Sequence, residues 1–128
     1  MSTILVNTLT GTSTAGSIAV TGEGNSTTTN LQQGLAKTFS LSAADGTSIS
    51  DSFNISSLSD DGTALQTFSL TNSMSSANYI AHSTGKNSFG SMITDSHATG
   101  SYRTVVRRFS DQALFDDIPQ TSAIGDLA

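Results

Sequence analysis

The first 36 residues contain no aromatic residue, no proline and a single charge, Glu23. A segment of this kind, rich in Ser, Thr, Gly and Asn, cannot close a core of its own. Ordering each residue costs roughly 1–2 kcal/mol of backbone entropy, and little apolar surface is present to offset it. Yet Ile4, Leu5, Val6, Leu9, Ile18, Val20, Leu31 and Leu35 are too apolar and too regularly placed for a plain soluble linker. Residues 1–36 therefore read as an extended attachment and oligomerisation arm that takes its order from another subunit or another protein. The contacts are expected at Ile4, Val6, Leu9, Ile18, Val20, Leu31 and Leu35.

Every Phe and Tyr lies between Phe39 and Phe115, and every Lys and Arg between Lys37 and Arg108. That distribution places a compact domain over residues 37–115. Its local signals are those of strands. Lys37-Thr38-Phe39-Ser40-Leu41 alternates, with Phe39 and Leu41 on one face, and Ser52–Ser56 and Thr67–Thr71 alternate in the same way. Period two marks a half-buried antiparallel strand. Asp45-Gly46 and Asp61-Gly62 stand between these runs as turn signals. Tyr79–His82 and Tyr102–Phe109 are further strand candidates, as are Ile4–Leu9 and Ser17–Thr21 in the arm. Helix signals are weak: one or two turns over Asn30–Ala36, with Asn30 as cap, and a short turn over Thr71–Ala77. Residues 83–100 read as a loop or loose hairpin, where binding surfaces are often carried. Residues 116–128 read as a closing edge strand or a tail. The fold class expected is all-β, an antiparallel β-sandwich (jelly-roll-like) with an extended N-terminal arm.

Composition removes several function classes. Leu, Ile, Val and Phe together stand just above the ~20% level below which chains are disordered. A lone copy would have a thin core, which oligomerisation can remedy. Without Cys there are neither disulfides nor thiolate metal sites. A net charge of -5 opposes nucleic-acid binding, which needs clustered Lys and Arg. No apolar run is long enough for a membrane helix, and the N-terminus lacks the basic and apolar blocks of a secretory leader. Neither nucleic acid nor membrane is an expected partner.

Catalytic motifs fail one by one. The Gly-x-Ser-x-Gly elbow is absent. Gly85-Lys86-Asn87 lacks the upstream Gly of a phosphate loop and has Asn in place of the magnesium-binding hydroxyl. His82 and His97, with Asp95 nearby, match no metal-binding spacing and read as exposed or packed polar side chains. Asp60-Asp61-Gly62 and Asp116-Asp117 do not form a calcium loop. No enzyme activity, metal or cofactor is expected. Arg103, Arg107 and Arg108 hold three of the five positive charges. They are candidates for inter-subunit or intra-domain pairing with Asp111, Asp116 or Asp117, weighed against a solvated strand face. Asn25-Ser26-Thr27 and Asn54-Ile55-Ser56 match the glycosylation sequon, as chance allows in so Ser/Thr-rich a chain.

Three stretches carry a family resemblance. They are Ser2-Thr3-Ile4-Leu5-Val6-Asn7-Thr8-Leu9 with Ala15-Gly16-Ser17-Ile18 and Thr29–Lys37, then Asp51–Leu58 with Asp61-Gly62-Thr63 and Thr71–Tyr79, and finally Gly125-Asp126-Leu127-Ala128. Together they resemble small β-rich virion structural proteins, tail-fibre-like or capsid-decoration-like, of marine and cyanobacterial tailed phages. The resemblance implies a non-enzymatic structural component at the particle surface. It would be a capsid decoration (cement) protein or a short tail or head appendage, self-associating as a trimer and contacting other virion proteins, major capsid or tail. The alternative is a glycan-binding module for host-surface adhesion, with Phe89, Tyr79 and Tyr102 as candidate receptor contacts. The absence of Trp counts against it.

Overall fold

The computed structural model describes residues 4–11, 18–21, 28–31, 34–43, 46–86 and 90–128. The chain divides into two compact units, Met1–Leu35 and Ala36–Ala128. In the first, β1 (Ala19–Thr21) and β2 (Thr28–Asn30) pair antiparallel, with Ala19 opposite Asn30. The Leu31 N–H donates to the Ile18 carbonyl at 2.7 Å and closes this ladder. Residues 4–11 hold no strand, so the strand expected over Ile4–Leu9 does not form within the chain. The described residues contain no helix. Asn30 ends β2 rather than capping a helix, and Thr71–Ala77 is a series of bends with one bridge, Met74 to Leu127.

The second unit is an antiparallel β-sandwich of eight strands. They are β3 (Ala36–Ser42), β4 (Ile49–Phe53), β5 (Ile55–Gly62), β6 (Leu65–Leu70), β7 (Ile80–Gly85), β8 (Gly90–Ala98), β9 (Ser101–Arg108) and β10 (Pro119–Ile124). One sheet has the order β4-β3-β10-β7 and the other β5-β6-β9-β8. The chain passes between sheets after β4, β6, β7 and β9.

The first of these passages explains why the expected strand Ser52–Ser56 is cut in two. Asn54 adopts φ 59°, in the left-handed region that Asn tolerates better than most side chains. Its Oδ1 accepts the Asn72 N–H at 2.7 Å, and its Nδ2 donates to the Asn72 carbonyl at 3.1 Å. The entry to β5 is thereby tied to the exit from β6.

Two further expectations change. Residues 83–100 hold the end of β7 and all of β8, in different sheets, so this stretch is mostly strand and not a hairpin. Three polar or small residues (Ser91, Thr94 and Ser96) weaken its apolar alternation. The C-terminal segment forms the strand expected of it, but as an inner strand and not at an edge. β10 lies between β3 and β7, and Ser75 N–H to Asp126 O and Ala128 N–H to Ser73 O, at 2.8 and 2.9 Å, fasten the last residues.

The core is built asymmetrically. The β5-β6-β9-β8 sheet sends in large side chains: Phe68 and Tyr102, whose rings stack at 5.3 Å, together with Leu70. Met74 joins them from the segment after β6. The facing sheet offers small or hydroxylic ones: Thr38, Ser40 and Ser42 from β3, Thr121 and Ala123 from β10. Large against small across the interior is a workable packing. Its consequence is that β3 turns Phe39 and Leu41 outward, the reverse of what its alternation suggests. A Cβ at Gly85 would meet the Asp117 carboxylate, which would have to shift to admit it.

Candidate interaction surfaces

The arm residues fall into two groups. Ile4, Val6, Leu9, Val20 and Leu35 are exposed, with Ile4 at 81% and Leu9 at 61%, and Leu5 beside them is exposed at 90%. Ile18 and Leu31 are half-buried beside the short β1–β2 ladder. Exposed apolar side chains in a run of this kind are a common mark of an interaction surface.

The arginine group is engaged inside the second unit. Arg103 forms a fork with Asp95, Nε to Oδ1 at 3.0 Å and Nη2 to Oδ2 at 2.8 Å. A bulge between Thr94 and Ser96 in β8 makes this pairing possible, because the extra residue, Asp95, is brought beside Arg103 on β9. The bond from Arg103 holds the Asp95 carboxyl below the usual range. Arg108 meets Asp111 at 3.4 Å, Arg107 donates to the Gln112 carbonyl at 3.2 Å, and the Arg108 guanidinium stands over the Phe115 ring. Asp116 Oδ1 accepts the Ala64 N–H and Asp117 Oδ1 the Ile118 N–H, both at 2.7 Å. Of the pairs expected for Arg103, Arg107, Arg108, Asp116 and Asp117, Arg108 with Asp111 is formed. Arg103 instead takes Asp95, while Asp116 and Asp117 accept backbone N–H groups.

Of the aromatic contacts expected for a receptor, Tyr102 is closed off and Tyr79 is partly so. Tyr102 is buried at 1% exposure, and its hydroxyl lies 2.6 Å from Thr121 Oγ1. Tyr79 is half-buried, with its hydroxyl 2.7 Å from the Ser101 carbonyl and 3.0 Å from that of Ala98. Burial pushes the Tyr79 phenol up to about 12, with Tyr102 adding to it. Both rings belong to the core because each caps the gap between sheets and finds a partner for its hydroxyl. Phe89 lies outside the described residues. His97 packs edge-on against Tyr79 at 5.0 Å, and His82 is exposed on β7. Among the described residues no three His or acidic side chains converge as metal ligands.

A surface that the sequence reading missed lies on the outside of the β4-β3-β10-β7 sheet. Phe39, Leu41, Phe53, Ile80 and Ile124 are each 39–59% exposed there. Phe39 and Phe53 sit directly opposite one another on β3 and β4, their ring centroids 6.4 Å apart. An open depression of about 200 Å³ runs beside them between Leu41, His82, Thr84, Gln120 and Ser122. The signal was present in β3 itself, where hydroxyl-bearing and apolar residues alternate cleanly. Alternation alone does not say which face is turned inward.

Comparison of the chain with protein-family models, with curated proteins and with solved structures returns no match.

Proposed function

We propose that this chain is a non-enzymatic structural protein of the surface of a tailed-phage particle. It acts as a capsid decoration (cement) protein or as a short head or tail appendage. It self-associates and docks by its N-terminal arm onto neighbouring virion proteins. The observation that carries this reading is the uncovered apolar run Ile4, Leu5, Val6 and Leu9 in a segment without strand structure of its own. A Ser/Thr-bearing segment with exposed apolar, β-branched side chains and no strand partner among the described residues is suited to strand addition. Main-chain hydrogen bonds supply affinity in that mode, and pockets for alternate side chains supply specificity. The β-sandwich behind it, with its chain ends fastened by β10 and the Ser73–Ser75 contacts, supplies a rigid body for the arm to anchor. The sequence resemblance given above supplies the particle.

The test is particle incorporation by a chain that begins at Ala36, where β3 starts, beside the full chain. The shortened chain folds and is missing from purified particles, while the full chain is present. Normal incorporation of the shortened chain would remove the arm as the attachment device. Cryo-electron microscopy of the particle then separates the two placements. Density over the head lattice makes the chain a cement protein, and density at the tail or one vertex makes it an appendage.

A further inference from the structure

We infer that β7 is the acceptor strand for the arm, and that its occupant is the segment Ile4–Leu9 of a second copy. The inference rests on the docking by strand addition proposed above, and it names both the partner and the site.

The two sheets of the sandwich end in four edge strands, β4 and β7 in one and β5 and β8 in the other. An open edge is a template for another strand, and proteins guard it with bulges and charges. Three of the four edges are guarded in this way. β4 carries Asp51 and falls out of step with β3 between Leu41 and Ser42. β5 carries Asp60 and Asp61, with two irregularities against β6. β8 carries Asp95 at its bulge. β7 has neither device. Ile80–Gly85 pairs with β10 residue by residue without a shift, and it holds no Asp, Glu, Lys, Arg or Pro. One edge left bare beside three guarded ones points to an edge that is covered when the protein is at work.

The backbone of β7 is set to receive a strand. In an antiparallel ladder alternate residues bond to the neighbour. The Lys86 N–H donates to the Ile118 carbonyl at 3.1 Å, in the register that sets Thr84 opposite Gln120 and His82 opposite Ser122. Ala81, Ser83 and Gly85 therefore turn their N–H and C=O groups away from β10. Pro119, which has no N–H to give, stands opposite Gly85 in agreement. The Thr94 hydroxyl donates to the Ala81 carbonyl at 2.9 Å, which leaves Ser83 and Gly85 as the anchor points for a strand.

Ile4–Leu9 suits these anchors. It is six residues long, as β7 is, and residues 4–11 hold no charge. Ile4, Val6 and Thr8 are β-branched and fall on one side of an extended chain. No strand forms over them within the chain, and Ile4 and Val6 are exposed. Each copy thus carries one strand-forming segment without a sheet and one edge without a guard. Giving an arm and taking one is a head-to-tail contact, which makes rings where the rotation closes.

The test is sedimentation velocity of the full chain over about a hundredfold range of concentration, where mass action exposes the equilibrium. The mass rises above that of one copy. Ser83→Pro removes an N–H that points away from β10, a place where an edge strand tolerates Pro, so the sandwich stands and the acceptor is lost. Val6→Pro spoils the donor. Each variant moves the midpoint at least about tenfold higher. Mixed together, they restore a complex of two copies and no more, the intact arm of the Ser83→Pro chain lying on the intact β7 of the Val6→Pro chain. In the unchanged chain, hydrogen exchange at the Ser83 and Gly85 amides and across Ile4–Leu9 slows as concentration rises, a reading that needs no variant to fold. A chain that stays monomeric throughout overturns the inference. So does an association that Ser83→Pro leaves unchanged, a mixture of the two folded variants that stays monomeric, or exchange at Ser83 that association does not slow. An arm that docks only on a different virion protein would still be missed by the shortened chain in particles, while Ser83→Pro would change nothing. Failure here and failure of the proposed function are therefore separable.

Discussion

Tyr102 Oη and Thr121 Oγ1 lie 2.6 Å apart, and this hydrogen bond joins β9 of one sheet to β10 of the other through the interior. Burial raises the Tyr102 pKa, so the phenol remains a proton donor or acceptor and not an anion. Removing one partner strands the other in an interior poor in water. Tyr102→Phe is expected to cost about 1–2 kcal/mol, and Thr121→Val, which takes this partner from the phenol, about 1–3 kcal/mol. The double variant should cost less than the two together, by about 1 kcal/mol. Urea unfolding of the four proteins measures this. Strictly additive losses would mean that the two hydroxyls do not act as a pair.

The stability of the second unit should fall at both ends of the pH scale for different reasons. Tyr79 has a folded pKa of about 12 against 10.0 when unfolded, because burial disfavours the phenolate. Its contribution is complete below pH 10.0 and is lost as pH rises through the folded value, because the unfolded chain sheds its proton first. Asp95 and Asp61 are lowered from 3.8, the first by the Arg103 fork and the second chiefly by the Thr67 hydroxyl. Their contribution is present above pH 3.8 and is lost as pH falls through the folded values. Both carboxylates are largely solvated, so the acid limb is shallow. Thermal unfolding across this range should show the alkaline limb shrink in Tyr79→Phe, once the overall loss of stability is subtracted, with the share owed to the buried Tyr102 left in place. A limb that persists at the same pH in that variant would assign it elsewhere.

Asn54 carries two tasks, and they can be separated. It supplies the left-handed φ of 59° at the passage between sheets, and its amide holds Asn72. Asn54→Gly keeps the backbone freedom and loses the amide bonds. Asn54→Ala loses both and adds the 1–2 kcal/mol or so that a left-handed conformation costs an ordinary residue. Stability should therefore rank Asn, then Gly, then Ala, with the last about 2–3 kcal/mol below the first. Chemical denaturation gives the order directly. Gly falling below Ala would show that the turn is not held by its φ.

Much of the sandwich is legible from residue order. The alternations at Lys37–Leu41, Thr67–Thr71 and Tyr102–Phe109 become β3, β6 and β9, and Asp61-Gly62 stands at the β5–β6 turn. The arm unit ends at Leu35, two residues before the first Lys and four before the first Phe. β8 was hidden because Ser, Thr and Asp fill positions that other strands give to apolar residues. The inner place of β10 was hidden because its buried positions are Pro119, Thr121 and Ala123, too small to register as a core stripe. The Arg103 partner could not be read either, since a bulge decides it, and bulges leave no trace in alternation. Tyr79 and Tyr102 were taken for surface because polar tips make tyrosine ambiguous, and their partners, Ser101, Ala98 and Thr121, become neighbours only when the strands pair.

The facing of β3 was the least legible feature, and it reverses the usual ranking of substitutions. By alternation, Phe39 would be a core residue and Ser40 a surface one. In the fold Ser40 is fully buried with no partner for its hydroxyl, while Phe39 is 39% exposed. An unsatisfied buried hydroxyl costs about 1–3 kcal/mol, so Ser40→Ala should raise stability, by about 1 kcal/mol once the slightly smaller volume is allowed for. Phe39→Ser should cost well under the 3–5 kcal/mol or so of removing a buried Phe, for which Phe68→Ala is the internal standard. Urea midpoints of the three variants beside the unchanged chain measure this ranking. If Phe39→Ser is as damaging as Phe68→Ala, β3 faces the other way.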